Sequence, residues 1–171
     1  MARPLRIVGL GGSLRAGSTS RTALQAAHEF ADASYACDAM IWSSPTYQGS
    51  VSGAFKNALD WLILLAERTP PYLSNKPIGL ISTAGGVQGL QTVNAMDFIA
   101  RSLRGWSVPL VMPVPQSGHT FDPDGRLVDE AVGAQLRALG AEVARAARQF
   151  QASGTCDYAQ DRPAAADSGR P

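Results

Sequence analysis

Sixteen residues near the start of the chain carry the densest set of groups able to do chemistry. Leu5-Arg6-Ile7-Val8-Gly9-Leu10 is a short apolar run. It breaks into Gly11-Gly12-Ser13-Leu14-Arg15-Ala16-Gly17-Ser18-Thr19-Ser20. A helical pattern follows from about Arg21. Strand, tight loop and helix N-terminus in that order aim backbone N–H groups and a helix dipole at one spot, which suits an anion. Ser13, Ser18, Thr19 and Ser20 add hydroxyl donors, and Arg15 adds a charged one. The stretch therefore reads either as a phosphate-binding loop or as a turn with an N-cap. It is neither of the common nucleotide fingerprints. No Gly-Lys-Ser/Thr is present, and Arg15 stands near the place where the third glycine of G-x-G-x-x-G would fall.

Two further loops share its pattern. Ala39 to Ser43 reads as a buried strand that ends in Ser44-Pro45-Thr46-Tyr47-Gln48-Gly49-Ser50. Pro45 stops the strand and pre-sets a turn. Tyr47 places an aromatic ring there, either packed against the loop or open as a platform for a flat ligand. Lys76 to Thr83 reads as another strand, ending in Ala84-Gly85-Gly86-Val87-Gln88-Gly89. His28 and His119 read as polar surface residues, the first on a helix and the second in a loop.

These loops need a scaffold that brings them together. Helical periodicity predicts a helix to about Ala33, a second from Ser50 or Ser52 to about Arg68, a third over 90–103 closed by Gly105, and a last one opened by Asp129 or Glu130. Val108 to Val114 supplies a fourth strand. Strands alternating with helices specify a parallel α/β sheet. In such a sheet all three loops emerge at one carboxyl edge, where ligands bind at a topological switch point. A ligand with a phosphate, a polar linker and a large flat ring would use all three.

Composition narrows the class. The chain has 171 residues, 45% hydrophobic, which is ordinary for one globular domain, expected over 1–153 with a disordered tail over 154–171. A net charge of +1 calls for neither nucleic acid nor an anionic membrane surface. No apolar stretch is long enough to span a bilayer. Met1-Ala2-Arg3-Pro4 leads straight into a strand, and the cysteines, Cys37 and Cys156, lack metal-ligand spacing, so no metal and a reducing cytoplasm are expected.

Three motifs then resemble the NADPH-dependent FMN reductase family: Gly12-Ser13-Leu14-Arg15-x-x-Ser18; Ser44-Pro45-x-Tyr47-x-Gly49-Ser50-x-x-Gly53-x-x-Lys56-Asn57-x-x-Asp60-Trp61; and Pro77-Ile78-Gly79-Leu80-Ile81-Ser82-Thr83-Ala84-Gly85-Gly86. The resemblance covers roughly residues 5 to 150. It implies a flavodoxin-like α/β/α sandwich with strand order 2-1-3-4-5 and an FMN-dependent NAD(P)H oxidoreductase. Hydride would pass from NADPH or NADH through FMN to a quinone, azo, flavin or similar small acceptor. The alternative is a non-enzymatic flavodoxin-like electron carrier or FMN-binding module. It further implies that Ser13, Arg15, Ser18, Thr19 and Ser20 hold the FMN phosphate. Pro45, Thr46, Tyr47, Gln48 and Gly49 would line the ring and ribityl, with Thr83, Ala84, Gly85 and Gly86 against the ring through backbone groups. No side chain is implied as a general acid or base. The helix with Lys56, Asp60 and Trp61 is similar to the family's subunit contact, which implies a homodimer or tetramer. The chain departs from the family between Ser13 and Pro45. Only 31 residues lie between them, and the apolar run of the family's second strand is missing. Its loss would leave the first strand at a sheet edge.

Overall fold

The computed structural model describes residues 5–11 and 20–153; for residues 10, 11 and 20–27 it describes the backbone alone. The elements in chain order are β1 (Ile7–Gly11), α1 (Ser20–Ala36), β2 (Ala39–Pro45), α2 (Gly53–Asp60) with a 3₁₀ turn (Trp61–Leu65), β3 (Pro77–Thr83), α3 (Gly89–Ser102), β4 (Trp106–Val114), α4 (Ser117–Thr120) and α5 (Glu130–Ala152). The four strands form one parallel sheet in the order β1-β2-β3-β4. This is the 2-1-3-4-5 order with its second strand absent among the described residues.

That absence decides where α1 lies. Crossovers between parallel strands are right-handed. When strands advance one way across the sheet, every crossover helix falls on the same face. α1, α2 with its 3₁₀ turn, and α3 accordingly share one core with Met40, Trp42, Ile78 and Leu80. Among the described residues α5 is the helix that covers the other face, where Leu139, Val143 and Ala147 pack with Ala39, Val108, Met112 and Val114. Strand residues alternate between the two. Val8 of β1 packs into the first core, while Ile7 and Gly9, on the α5 side, are exposed.

Close approach explains two glycines. A Cβ on Gly79 would stand 2.7 Å from Val143 Cγ2, so α5 lies directly on the backbone of β3. At the end of α3, the expected cap Gly105 is not the left-handed residue. Arg104 takes that conformation, with φ 63°. Arg104 N–H donates to Arg101 O (2.9 Å) and Gly105 N–H to Ala100 O (2.8 Å), the paired bonds of a Schellman motif. Gly105 is needed because a Cβ there would meet Ile78 Cδ1 at 2.4 Å.

The helix expected to reach Arg68 ends sooner. Ser52 caps α2, its hydroxyl accepting from Phe55 N–H at 3.1 Å, and the helix tightens into the 3₁₀ turn at Trp61. α1 runs past its expected end to Ala36, and β4 begins two residues early at Trp106. On the edge strand β4 the pairing with β3 slips, from Ile78↔Ser107 to Leu80↔Val111, around Pro109, which has no N–H to give. Asp129 caps α5, its carboxylate accepting from Ala131 and Val132 N–H.

Candidate functional site

The register aligns the strand ends. Gly11 pairs with Ser43, Pro45 with Thr83 and Thr83 with Val114. The segments after β2, β3 and β4 thus leave the sheet at one edge. Of the first loop, Ser13, Arg15, Ser18 and Thr19 lie outside the described residues, and Ser20 is described only as the first residue of α1's backbone.

The loop after β2 is a tight, tethered turn. Thr46 N–H donates to Thr83 O at 2.8 Å, which ties it to the end of β3. Tyr47 and Ser50 exchange both backbone hydrogen bonds at 3.0 Å. Between them Gln48 (φ 47°) and Gly49 (φ 79°) are both left-handed, the pattern of a type I′ turn. Glycine supplies that conformation freely; Gln48 adopts it at a cost. Pro45 and Thr46 are half-buried, and Tyr47 leaves 58% of its surface exposed. Behind the turn, the buried Ser44 hydroxyl accepts from Ser52 N–H at 3.0 Å and fixes where α2 begins.

The loop after β3 is anchored from the far side. Ala84 N–H donates to Val114 O, Ser117 N–H to Ala84 O and Gln116 N–H to Gly86 O. Ala84 is buried; Gly85 and Gly86 are exposed, and a Cβ on Gly85 would meet nothing within 4 Å. Open backbone here lets a flat group come close. Ser82 Oγ donates to Gly89 O at 2.7 Å, and a Cβ on Gly89 would stand 2.8 Å from that hydroxyl, so α3 starts hard against β3. A cleft of about 360 Å³, lined by Val87, Gln88, Leu90, Gln91 and Asn94, opens beside the loop.

Two contributions escape the sequence reading. One is the segment after β4, which buttresses the Gly85-Gly86 loop through Gln116 and Ser117. The other is Thr92, fully buried on α3, whose hydroxyl lies 2.8 Å from Thr46 Oγ1 and 3.1 Å from Ser50 O. Its signal is a polar residue in line with Met96 and Ala100, on a face that otherwise is apolar.

Other titratable groups stand apart. His28 is exposed on α1; His119 is exposed too, in the short helix α4 rather than a loop. Burial pushes the Cys37 thiol above its ordinary range, with Lys76 opposing, so it stays protonated and unreactive. Lys76 Nζ caps the end of α1 by donating to Tyr35 O and Cys37 O. Among the described residues no group of three His, Cys, Asp or Glu could hold a metal, and no helix is long and apolar enough to cross a membrane.

The model of the family described as NADPH-dependent FMN reductase matches residues 26–118, more than half of the chain. The chain belongs to this family. The matched residues of this reductase-family chain include both described loops. It is 34% identical over 110 residues to an FMN-dependent NADPH-azoreductase of Staphylococcus haemolyticus, a match that covers 64% of this chain and 55% of that protein. The chain spans about half the length of the curated relatives it matches. Among solved structures, the flavoenzyme NAD(P)H:(acceptor) oxidoreductase FerB from Paracoccus denitrificans superposes with a TM-score of 0.58 at 17% identity, over 86% of this chain and 98% of that one. A flavodoxin, WrbA-like protein from Agrobacterium tumefaciens gives 0.56 at 22% identity, over 84% and 97%. The fold is flavodoxin-like.

Proposed function

We propose that this chain is an FMN-dependent NAD(P)H oxidoreductase serving a small-molecule acceptor such as a quinone, azo compound or flavin. The observation that carries the proposal is the joined pair of loops. Thr46 N–H on Thr83 O ties the loop that carries an exposed aromatic ring, Tyr47, to the end of β3, after which the backbone of Gly85 is open. An isoalloxazine fits such a frame because one side offers a ring and the other offers backbone without side chains. FMN, when bound, would supply the hydride chemistry.

The chain's own groups have four tasks. Pro45, Thr46, Tyr47, Gln48 and Gly49 would orient the ring from one side. Thr83, Ala84, Gly85 and Gly86 would orient it from the other, with backbone N–H groups placed to stabilise negative charge on it. Ser13, Arg15, Ser18, Thr19 and Ser20 would hold the phosphate, as a glycine-serine loop before a helix can. The cleft beside Val87 and Leu90 gives an acceptor room next to the glycine loop. We further propose that the chain works in the cytoplasm as a homodimer or tetramer. The outer side of α2 and its 3₁₀ turn supports self-association: Lys56 and Asp60 pair there, Trp61 is half-buried, and Ile63 is 61% exposed.

The visible spectrum of the purified protein tests the proposal. A yellow protein bleached rapidly by NADPH or NADH is expected. A yellow protein inert to both nicotinamides would instead be an electron carrier. A colourless protein that FMN does not reconstitute would overturn the flavin assignment.

A further inference from the structure

We infer that Thr92 is a positioning residue for the ligand-facing turn, relaying a hydrogen bond from the Thr46 hydroxyl to the Ser50 carbonyl. For its bearing on a flavin the inference rests on the proposed function; for the turn itself it rests on geometry alone.

Thr92 sits one turn into α3 with no exposed surface. A buried hydroxyl is costly unless it is bonded. Its two neighbours are Thr46 Oγ1 at 2.8 Å and Ser50 O at 3.1 Å. A hydroxyl has one proton to donate and two lone pairs to accept with. The Ser50 carbonyl can only accept. Both contacts are satisfied at once when Thr92 donates to Ser50 O and Thr46 donates to Thr92.

Two consequences follow from that direction. Ser50 O also accepts from Tyr47 N–H, so Thr92 grips the closing pair of the turn that carries the exposed Tyr47 ring. Thr46, with its proton committed inward, presents only lone pairs to whatever meets it from the solvent side. A ligand group opposite Thr46 must therefore be a donor, such as a ring N–H. The β2 loop is tied to β3 through Thr46 N–H on Thr83 O and to α3 through Thr92. α3 is in turn fixed to β3 by Ser82 on Gly89. The three ties close a ring of contacts around the site, and Thr92 is its one side chain that touches both ends of the turn.

The test uses the full chain and the variants Thr92→Val, Thr92→Ser and Thr46→Val, with the double variant T46V/T92V. Valine keeps the shape and removes the hydroxyl; serine keeps the hydroxyl. Two readouts are taken: FMN titration by flavin fluorescence, and amide hydrogen exchange at Tyr47 and Ser50 in FMN-free protein. Thr92→Val removes both buried hydrogen bonds of the relay, which scales to a loss of FMN affinity of about tenfold or more, with Thr92→Ser staying within about twofold of the parent. Exchange at Ser50 should quicken in Thr92→Val and Thr46→Val but not in Thr92→Ser. In exchange at Ser50 the double variant should match Thr92→Val, because Thr92→Val already removes both bonds of the relay. Parent-like affinity together with parent-like exchange in Thr92→Val would overturn the inference, as would exchange at Ser50 that is faster in the double variant than in Thr92→Val. A parent protein that fails to bind FMN, with exchange still quickened in Thr92→Val, would sink the flavin proposal and leave the relay standing.

Discussion

The two faces of the sheet are built to different depths. One carries α1, α2 with its 3₁₀ turn, and α3 over Met40, Trp42, Ile78 and Leu80. Among the described residues the other carries α5 alone, over β2, β3 and β4, and leaves Ile7 and Gly9 of β1 exposed. The difference follows from the strand absent among the described residues. A chain that reversed direction after β1 would send α1 to the α5 face; a chain that advances monotonically stacks every crossover helix on the opposite one. The loops after β2 and β3 are therefore rooted in the doubly covered centre of the sheet. β1, which feeds the first loop, is an edge with one protected side.

The sharpest way to break this comparison is to remove apolar bulk from each side. Phe55 is fully buried on the crowded face and meets Trp42 edge-on, ring centroids 5.7 Å apart. Phe55→Ala should cost about 3–5 kcal/mol, the scale for deleting a buried aromatic ring. Ile7 is 41% exposed, and Ile7→Ala should cost under about 1 kcal/mol. Urea unfolding curves would show a large fall in midpoint for the first and a small one for the second. Comparable losses would mean that something covers the flank of β1.

Where α5 does lie on the sheet, it lies close. A Cβ at Gly79 meets Val143 Cγ2 at 2.7 Å and Leu139 Cδ1 at 3.3 Å. Gly79→Ala should therefore cost about 1–3 kcal/mol, as overpacking does. A neutral or stabilising result in thermal melts would show that α5 can move away, and that the thinly covered face is also a loose one. Next in size is the cap of that helix. Asp129→Ala removes the carboxylate that accepts from Ala131 and Val132 N–H, and should cost about 1 kcal/mol. Asp129→Asn should recover most of it, which separates capping from charge.

How much of this could be read beforehand depended on what each signal measured. The run Ala39 to Ser43 was legible because a strand covered on both faces reads as continuous apolar sequence. The two loops were legible because proline and glycine mark turns whatever the surroundings. Bounds set by packing were not. The apolar stripe after Ser52 continues past Asp60, yet Leu65 O accepts from both Arg68 and Tyr72 N–H as the chain tightens and turns back. The role of Gly105 was misplaced because its reason is Ile78, a residue far away in sequence. α4, with four residues, is too short to show a period. Thr92 gives no periodic signal, because periodicity counts apolar residues and its value lies in being the polar exception among them.

The smallest effect bears on what lies outside the crowded face. Lys56 and Asp60 form an i,i+4 ion pair on α2, with side chains 51% and 62% exposed. In water such a pair is worth about 0.3–0.5 kcal/mol and weakens with salt. A double-mutant cycle with Lys56→Ala and Asp60→Ala should return that value at low protein concentration. If a second copy of the chain covers α2, as the proposed homodimer would, the pair is taken out of water. Its coupling should then rise with protein concentration and lose its sensitivity to salt, because a buried pair is screened less. A coupling that stays small and salt-sensitive at every concentration would place the subunit contact elsewhere, and would leave exposed Ile63 without the partner proposed for it.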